Sequence, residues 1–279
     1  MNILIIGKGY IGSRAAESWP EAVLADKRIN SKEDVLALID EHKPDAVFNA
    51  AGVTGKPNVD WCEDHQMETI EGNTMLPIEI AKACAERNVY MLHLGTGCIF
   101  YGDSPHEDGK WRENDYANPV AVYTRAKYAA DLVLTTMPNI GIARLRMPID
   151  DHPCPQNLID KLARYDRVVD VINSATVIDD LVMACRALME KRAEGIFHTV
   201  NPGAIRHKEI MEMYKELVDP DYTCEWLTEE ELVSTGLAKK KRSNNIMTSS
   251  RLEALGIHMR PIHEAVRDAM EKYAKVKQS

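Results

Sequence analysis

The chain has 279 residues, 45% of them apolar and 28% charged, with a formal net charge of −9. That balance describes an ordinary soluble globular protein and argues against nucleic acid as the main partner, since neutralising phosphates takes a basic surface. No stretch approaches the roughly 20 apolar residues of a membrane span, and the cysteines at 62, 84, 98, 154, 185 and 224 show neither a C-x-x-C pair nor zinc spacing with histidine.

"NILIIG" opens the chain as a buried parallel strand that stops at a glycine. Gly7, Gly9 and Gly12 follow as G-x-G-x-x-G, with Tyr10 and Ile11 inside the motif and a helical pattern starting near Ser13. This arrangement predicts a dinucleotide site: a tight turn, close backbone approach to a pyrophosphate, and a helix N-terminus aimed at that anion. "AVLAD" ends in Asp26, nineteen residues after Gly7. An acid there takes the adenosine ribose hydroxyls and favours NAD, whereas a nearby arginine accommodates the 2′-phosphate of NADP. Lys27 and Arg28 directly follow Asp26, and two cations beside one acid tilt the expectation to NADP(H), with NAD(H) left open.

A helix over about 32–42 leads to the strand "PDAVFNAAG", where Asn49, Ala50, Ala51 and Gly52 are expected to let the backbone pass close to the cofactor. A helix over about 64–87 carries Asn73, and the strand "VYMLHLGTG" follows. The alternation predicts an α/β fold, a doubly wound parallel sheet of Rossmann type, with a smaller and mostly helical C-terminal substrate domain. In "HLGTGCIF", Thr96 and Cys98 stand two apart, so on a strand both side chains leave the same face. "VYTRAKYAADLVL" is a helix pattern that sets Tyr123 and Lys127 four apart on one face. A lysine ammonium there is expected to lower the phenol from its usual value near 10, making the tyrosine a usable proton donor and acceptor.

"NIGIARLRMP" (139–148) reads as a strand with Arg144 and Arg146 on one face, open to a substrate role or to structural ion pairing. "DRVVDVINSATVIDDLVMACRALME" predicts a short strand, a turn with Thr176 and a helix capped near Asp179; "GIFHTVNPG" returns to the sheet. Residues 201–279 are mostly helical, with a final helix from about 261, and "KKKR" at 239–242 is either a solvated loop or an anion contact ahead of "RSNN". The expected division is a cofactor domain of 1–148 plus about 173–200, and a substrate part of about 149–172 and 201–279. Nine histidines lack ligand spacing, and no metal is expected. The absence of a secretory leader pattern suggests a cytoplasmic protein with reduced thiols.

The glycine-rich opening with Thr96, Tyr123 and Lys127 resembles the Ser/Thr–Tyr–Lys triad of the extended short-chain dehydrogenase/reductases. "VFNAAGVTGKPNVDWCE", "TGCIF", "RMPI", "NLIDKLARYDRVV", "NPGAIRHKEIMEMY" and "RSNN" are similar, more closely, to the plant-type nucleotide-rhamnose synthase/epimerase-reductases, with dTDP-4-dehydrorhamnose reductase a more distant relative. The likeness runs from about residue 3 to 270; the first turn is one residue shorter than that family's pattern, which leaves the cofactor preference open. The resemblance implies a 3,5-epimerase/4-reductase that converts UDP-4-keto-6-deoxyglucose, or its dTDP counterpart, to the rhamnose form. Thr96 and Tyr123 would hold the C4 oxygen, Lys127 the nicotinamide ribose, and Cys98 and Lys161 would be the acid–base pair for the ring carbons. Thr54, Asn73, Asn157, Arg242 and Asn244, with Cys98, would contact the substrate. Thr96 is followed by Gly97 and Cys98 instead of the dehydratases' acidic pair, so an upstream 4,6-dehydratase would supply the ketone. A homodimer is expected. Two alternatives stand beside this: a reductase alone, and a non-catalytic NADP-binding subunit such as the regulatory subunit of methionine adenosyltransferase.

Overall fold

The computed structural model describes residues 1–56, 58–237 and 242–278. Of the basic run 239–242, residues 239–241 lie outside the described residues. The chain forms two compact units. The first comprises Met1–Ile99, Ala117–Arg144 and Val182–Phe197; the second comprises Phe100–Tyr116, Leu145–Leu181 and the chain from His198 onward.

The first unit is an α/β fold on a six-stranded sheet. Its strands are β1 (Ile3–Ile6), β2 (Val23–Leu24), β3 (Ala46–Asn49), β4 (Tyr90–Thr96), β5 (Ile140–Leu145) and β6 (Gly195–His198), in the spatial order β6-β5-β4-β3-β1-β2. β1 pairs in parallel with β2 and β3, and β3 with β4. Every residue of β1, β3 and β4 is buried, as strands covered by helices on both faces must be, which is why each is a near-continuous apolar run. The sheet order reverses direction between β1 and β3, and ligands of such sheets bind beyond the strand ends at that point.

The helices are α1 (Tyr10–Ser18), α2 (Lys32–His42), α3 (Gln66–Ile70), α4 (Leu76–Glu86) and α5 (Val122–Leu134), with most of a further helix, Ile178–Glu190. They bury Val35, Ile39, Ile80 and Leu134 against Leu4, Val47, Met91 and Ile142 of the sheet. The expected single helix over 64–87 is interrupted. A 3-10 turn over Val59–Glu63 precedes α3, and a π turn over Glu71–Met75 separates α3 from α4. The interruption accommodates the segment after β3: a Cβ on Gly72 would come within 2.4 Å of Val53 Cγ2.

The second unit is built from helices and two-stranded pieces. Its helices are Leu158–Ala163, His207–Leu217, Glu229–Ser234, Ser250–Ala254 and Ile262–Gln278. Short strands pair Arg167–Val169 with Glu225–Leu227 and Lys110–Trp111 with Ile246–Met247, both parallel. Ile149, Ile159, Val177, Ile210, Val266 and Tyr273 share one apolar core. Among the described residues no helix is long and apolar enough to cross a membrane.

Candidate active site

The glycine motif closes the β1–β3 switch point. Gly7 has φ +110°, a conformation open to glycine, and a Cβ there would lie 2.4 Å from the Ala51 nitrogen. A Cβ on Gly12 would lie 2.0 Å from the Gly7 carbonyl oxygen, so two of the three glycines allow backbone to meet backbone. Gly9 differs: it caps α1 with no side-chain bond, and a Cβ on it would stand in open space. Beside it Tyr10 and Ile11 form the first turn of α1. This is a cradle that a side chain would fill, at the positive end of a nine-residue helix, and it fits a phosphate group. Asp26, Lys27 and Arg28 are exposed just after β2.

Of the residues expected at the cofactor, Asn49 lies in the interior and Gly52 is exposed. Asn49 is fully buried; its Oδ1 accepts the Ala51 N–H at 3.1 Å, and its Nδ2 stands 3.0 Å from His93 Nδ1 on the paired strand. A Cβ on Gly52 would lie 3.3 Å from Lys127 Nζ and 3.0 Å from Asn73 Oδ1, so this glycine leaves room for the lysine. Asn73, expected at the substrate, is also fully buried and bonds Val53 in both directions, accepting its N–H at 3.0 Å and donating to its carbonyl at 2.8 Å. Its role here is to fix the loop after β3, in which Thr54 is exposed.

β4 and α5 bring the triad residues together. Thr96 ends β4, and the Tyr123 phenol hydrogen-bonds its hydroxyl. Cys98 lies in the turn beyond the strand, not on it. The strand ends because the Thr96 Oγ1 accepts the Cys98 N–H at 3.2 Å, bending the chain at Gly97. The half-buried Cys98 remains near Tyr123 and helps to raise its phenol. Lys127 is buried and its Nζ donates to the Leu94 carbonyl at 3.0 Å. The expected lowering of the Tyr123 phenol is reversed: burial raises it, neighbouring Cys98 adds to that, and the bond to Thr96 opposes both. Burial holds Lys127 itself down to about 8, against the pull of Asp131. Tyr123 is therefore a protonated phenol, the form able to donate a proton.

The remaining predicted residues lie in the second unit. Lys161 is half-buried on the helix Leu158–Ala163. Asn157, expected at the substrate, is the fully buried N-cap of that helix. It accepts the N–H groups of Ile159 and Asp150, each at 3.2 Å, and donates to the carbonyls of Asp150 and His152 at 2.8 and 3.1 Å. Asn244 accepts from Asn173 Nδ2 at 3.2 Å, and Arg242 is half-buried. Asp150, Asp151 and His152 hold ligand atoms within 4.8 Å of one another; Asp150, which is buried, accepts the Asp151 N–H, and His152 bonds Asp151.

Three residues of the first unit escaped the sequence reading. Glu63 accepts the Val122 N–H at 2.8 Å and so caps α5, which has no cap of its own. Asp131, four residues past Lys127, binds Arg144 Nε at 2.8 Å with both side chains 1% exposed. His93 is fully buried beside Asn49, and burial and Lys127 hold it well below the ordinary imidazole value. Only Asp131 left a sequence signal, as the third member of a four-residue spacing through Tyr123 and Lys127.

The chain is similar to known proteins along most of its length. A protein of Arabidopsis thaliana named bifunctional dTDP-4-dehydrorhamnose 3,5-epimerase/dTDP-4-dehydrorhamnose reductase is 37% identical over 262 residues, 90% of this chain and 86% of its own. The plant's trifunctional UDP-glucose 4,6-dehydratase/UDP-4-keto-6-deoxy-D-glucose 3,5-epimerase/UDP-4-keto-L-rhamnose-reductase RHM1 is 36% identical over 91% of this chain, which spans only 39% of that relative's length. The crystal structure of the L780 UDP-rhamnose synthase from Acanthamoeba polyphaga mimivirus superposes with a TM-score of 0.89 at 29% identity, covering 98% of this chain and 99% of that one. Solved structures of the same fold include chains complexed with NADP and with NADPH, at 19% and 17% identity, a likeness of fold alone. Matched by its family model over residues 1–275, the chain belongs to the RmlD substrate binding domain family.

Proposed function

We propose that the protein is a bifunctional 3,5-epimerase/4-reductase that converts UDP-4-keto-6-deoxy-D-glucose to UDP-L-rhamnose with NADPH. The coarser statement, a nucleotide-sugar reductase, is supported by relatives named as reductases of dTDP-4-dehydrorhamnose and UDP-4-keto-L-rhamnose. The observation that carries the finer reading is the cluster at the end of β4: Tyr123 on the Thr96 hydroxyl, with Cys98 bonded to that same hydroxyl through its N–H.

The chemistry follows from one carbonyl. Thr96 and Tyr123 hydrogen-bond the C4 oxygen and stabilise negative charge on it, which acidifies the hydrogens on C3 and C5. Cys98 and Lys161 form the acid–base pair: one takes a proton from the ring carbon, and the other returns a proton to the opposite face, inverting the centre with no net change in atoms. NADPH, when bound through the Gly7–Gly12 cradle, supplies the hydride for C4. Tyr123 gives its proton to the C4 oxygen, completing the alcohol, and regains one from solvent. Negative charge builds on the same oxygen in both half-reactions, so one pair of donors serves both.

Cys98→Ala separates the halves. The variant is expected to reduce an already epimerised 4-keto sugar at the wild-type rate, while incorporating no solvent deuterium at C3 or C5 of the un-epimerised ketone. Equal turnover of variant and wild type on the un-epimerised ketone would leave a reductase alone. Tyr123→Phe is expected to slow reduction of the epimerised ketone by about 10²–10⁴-fold, measured as NADPH oxidation. Parallel titrations with UDP and dTDP 4-keto sugars test the nucleotide.

A further inference from the structure

We infer that Asp131, braced by Arg144, is a positioning residue that keeps the Lys127 ammonium charged inside the sheet–helix interface and so sets the pH range of reduction. The inference rests on the reading of Tyr123 and Lys127 as the reducing site. Asp131 lies one helical turn beyond Lys127 on the same face of α5, and both are buried, at 1% and 5% exposure. One carboxylate oxygen is held by Arg144 Nε at 2.8 Å; the other, Oδ1, is buried and has no hydrogen-bond partner. Gly95 on β4 makes room for the pair: a Cβ there would stand 3.2 Å from Arg144 Cγ and 3.4 Å from Asp131 Oδ1.

The charge balance explains the arrangement. A lone buried ammonium would lose its proton, because burial disfavours the charged form. The surrounding elements offer little other help. His93, facing from β4, accepts at Nδ1 from Asn49, whose amide is oriented by the Ala51 N–H, and it is held neutral. From the 3-10 turn, Cys62 lies by Tyr123 and Glu63 is bonded to Val122 at the far end of α5. Glu68 and Glu71 are exposed, and Glu79 on α4 is paired with Lys82. Asp131 is thus the acid whose charge reaches Lys127, opposing the burial that brings the amine to about 8. Burial raises the Asp131 carboxyl, and the charge and hydrogen bond of Arg144, with the charge of Lys127, oppose that rise.

The test compares Asp131→Asn with Asp131→Glu. With lysine 13Cε labelling, the Lys127 resonance, identified by its loss in Lys127→Arg, is expected to titrate about one to two pH units lower in Asp131→Asn and near the wild-type value in Asp131→Glu. The alkaline limb of kcat for NADPH-dependent reduction should shift downward by the same amount. If Asp131→Asn does not fold, Asp131→Asn/Arg144→Gln also replaces the arginine that faced the carboxylate and should show the same shift. An unmoved Lys127 titration in a folded variant overturns the inference, as does a moved titration with an unmoved kcat limb. The resonance needs no substrate, so a protein inactive on every 4-keto sugar would defeat the functional reading while the Asp131 effect is still decided.

Discussion

Two arginines stand two positions apart, each about 1% exposed, and they solve burial in opposite ways. Arg144, in the first unit, donates to the carboxylate of Asp131. Among the described residues Arg146, in the second, donates to neutral oxygens: Nη1 to Ser243 Oγ at 3.0 Å, and Nη2 to Asn173 Oδ1 at 2.5 Å and to the Ser243 carbonyl. Removing a guanidinium from water is costly, and the protein returns either a charge or a set of dipoles. The charge-paired arginine belongs to a column of titratable groups that runs along α5 through Lys127. The dipole-held arginine belongs to a framework of amides and hydroxyls, in which Ser243 Oγ and Asn245 Nδ2 both reach the Phe100 carbonyl, at 2.7 and 3.0 Å. Polar burial serves electrostatics in one unit and chain geometry in the other.

The largest effects should separate these two modes. Asp131→Ala leaves a buried guanidinium without its counter-charge and is expected to cost about 3–5 kcal/mol. Asn173→Ala removes one neutral acceptor from Arg146, together with the bond that Asn173 Oδ1 receives from the Asn245 N–H at 2.9 Å, and is expected to cost about 1–3 kcal/mol. Urea unfolding of both variants measures the difference. If Asn173→Ala were the more damaging, the distinction between a charge-held and a dipole-held arginine would be lost. Asp131→Ala/Arg144→Met should recover most of the stability, because an apolar replacement of both partners leaves no charge stranded.

The architecture of the first unit was legible because its signals are local: all-buried strands read as apolar runs, and the helix expected over about 32–42 is α2. What was misread depends on a single hydrogen bond or on distant partners. Period-2 reasoning carried the strand through Cys98, but the Thr96 hydroxyl takes the Cys98 N–H and turns the chain first. Asn49, Asn73 and Asn157 were read as ligand contacts, yet each satisfies nearby backbone that side chains must cap when it is buried. An amide side chain suits either task, and nothing in its spacing distinguishes them. Arg146 meets Ser243 across 97 residues of sequence, a separation that no local pattern encodes.

A smaller contrast concerns pH. His93 in the first unit and His207 in the second are both held below the ordinary imidazole value, chiefly by burial, and secondarily by Lys127 at His93; at His207 the bond of Nδ1 to the Val169 carbonyl works the other way. A lowered folded value means that the native chain stays neutral while the unfolded chain takes up a proton below about pH 6.5. Their contribution is therefore complete above about pH 6.5 and declines as the pH falls toward the folded values, by up to about 1.4 kcal/mol per pH unit for each histidine. Urea midpoints at pH 7 and pH 5 should diverge in the wild type, and less so in His93→Gln and in His207→Gln. Equal divergence in all three would mean that neither histidine is kept neutral by the fold.

The smallest expected effects come from two helix caps, one in each unit, and they separate stability from chemistry. Ser31 accepts the Asp34 N–H at 3.3 Å while the Asp34 carboxylate accepts the Ser31 N–H at 3.1 Å, on a helix that carries no site residue. Asn157 caps the helix that carries Lys161, and it also ties that helix to the Asp150 and His152 carbonyls. Alanine at either position removes a cap and should lower stability by about 0.5–2 kcal/mol. If Lys161 exchanges a proton with the sugar, its helix must be held in one place, and Asn157→Ala should slow deuterium incorporation at C3 and C5 while Ser31→Ala leaves it unchanged. Matched stability losses with unmatched exchange rates would tie the cap to the position of the lysine; matched exchange rates would leave Asn157 with a purely structural role.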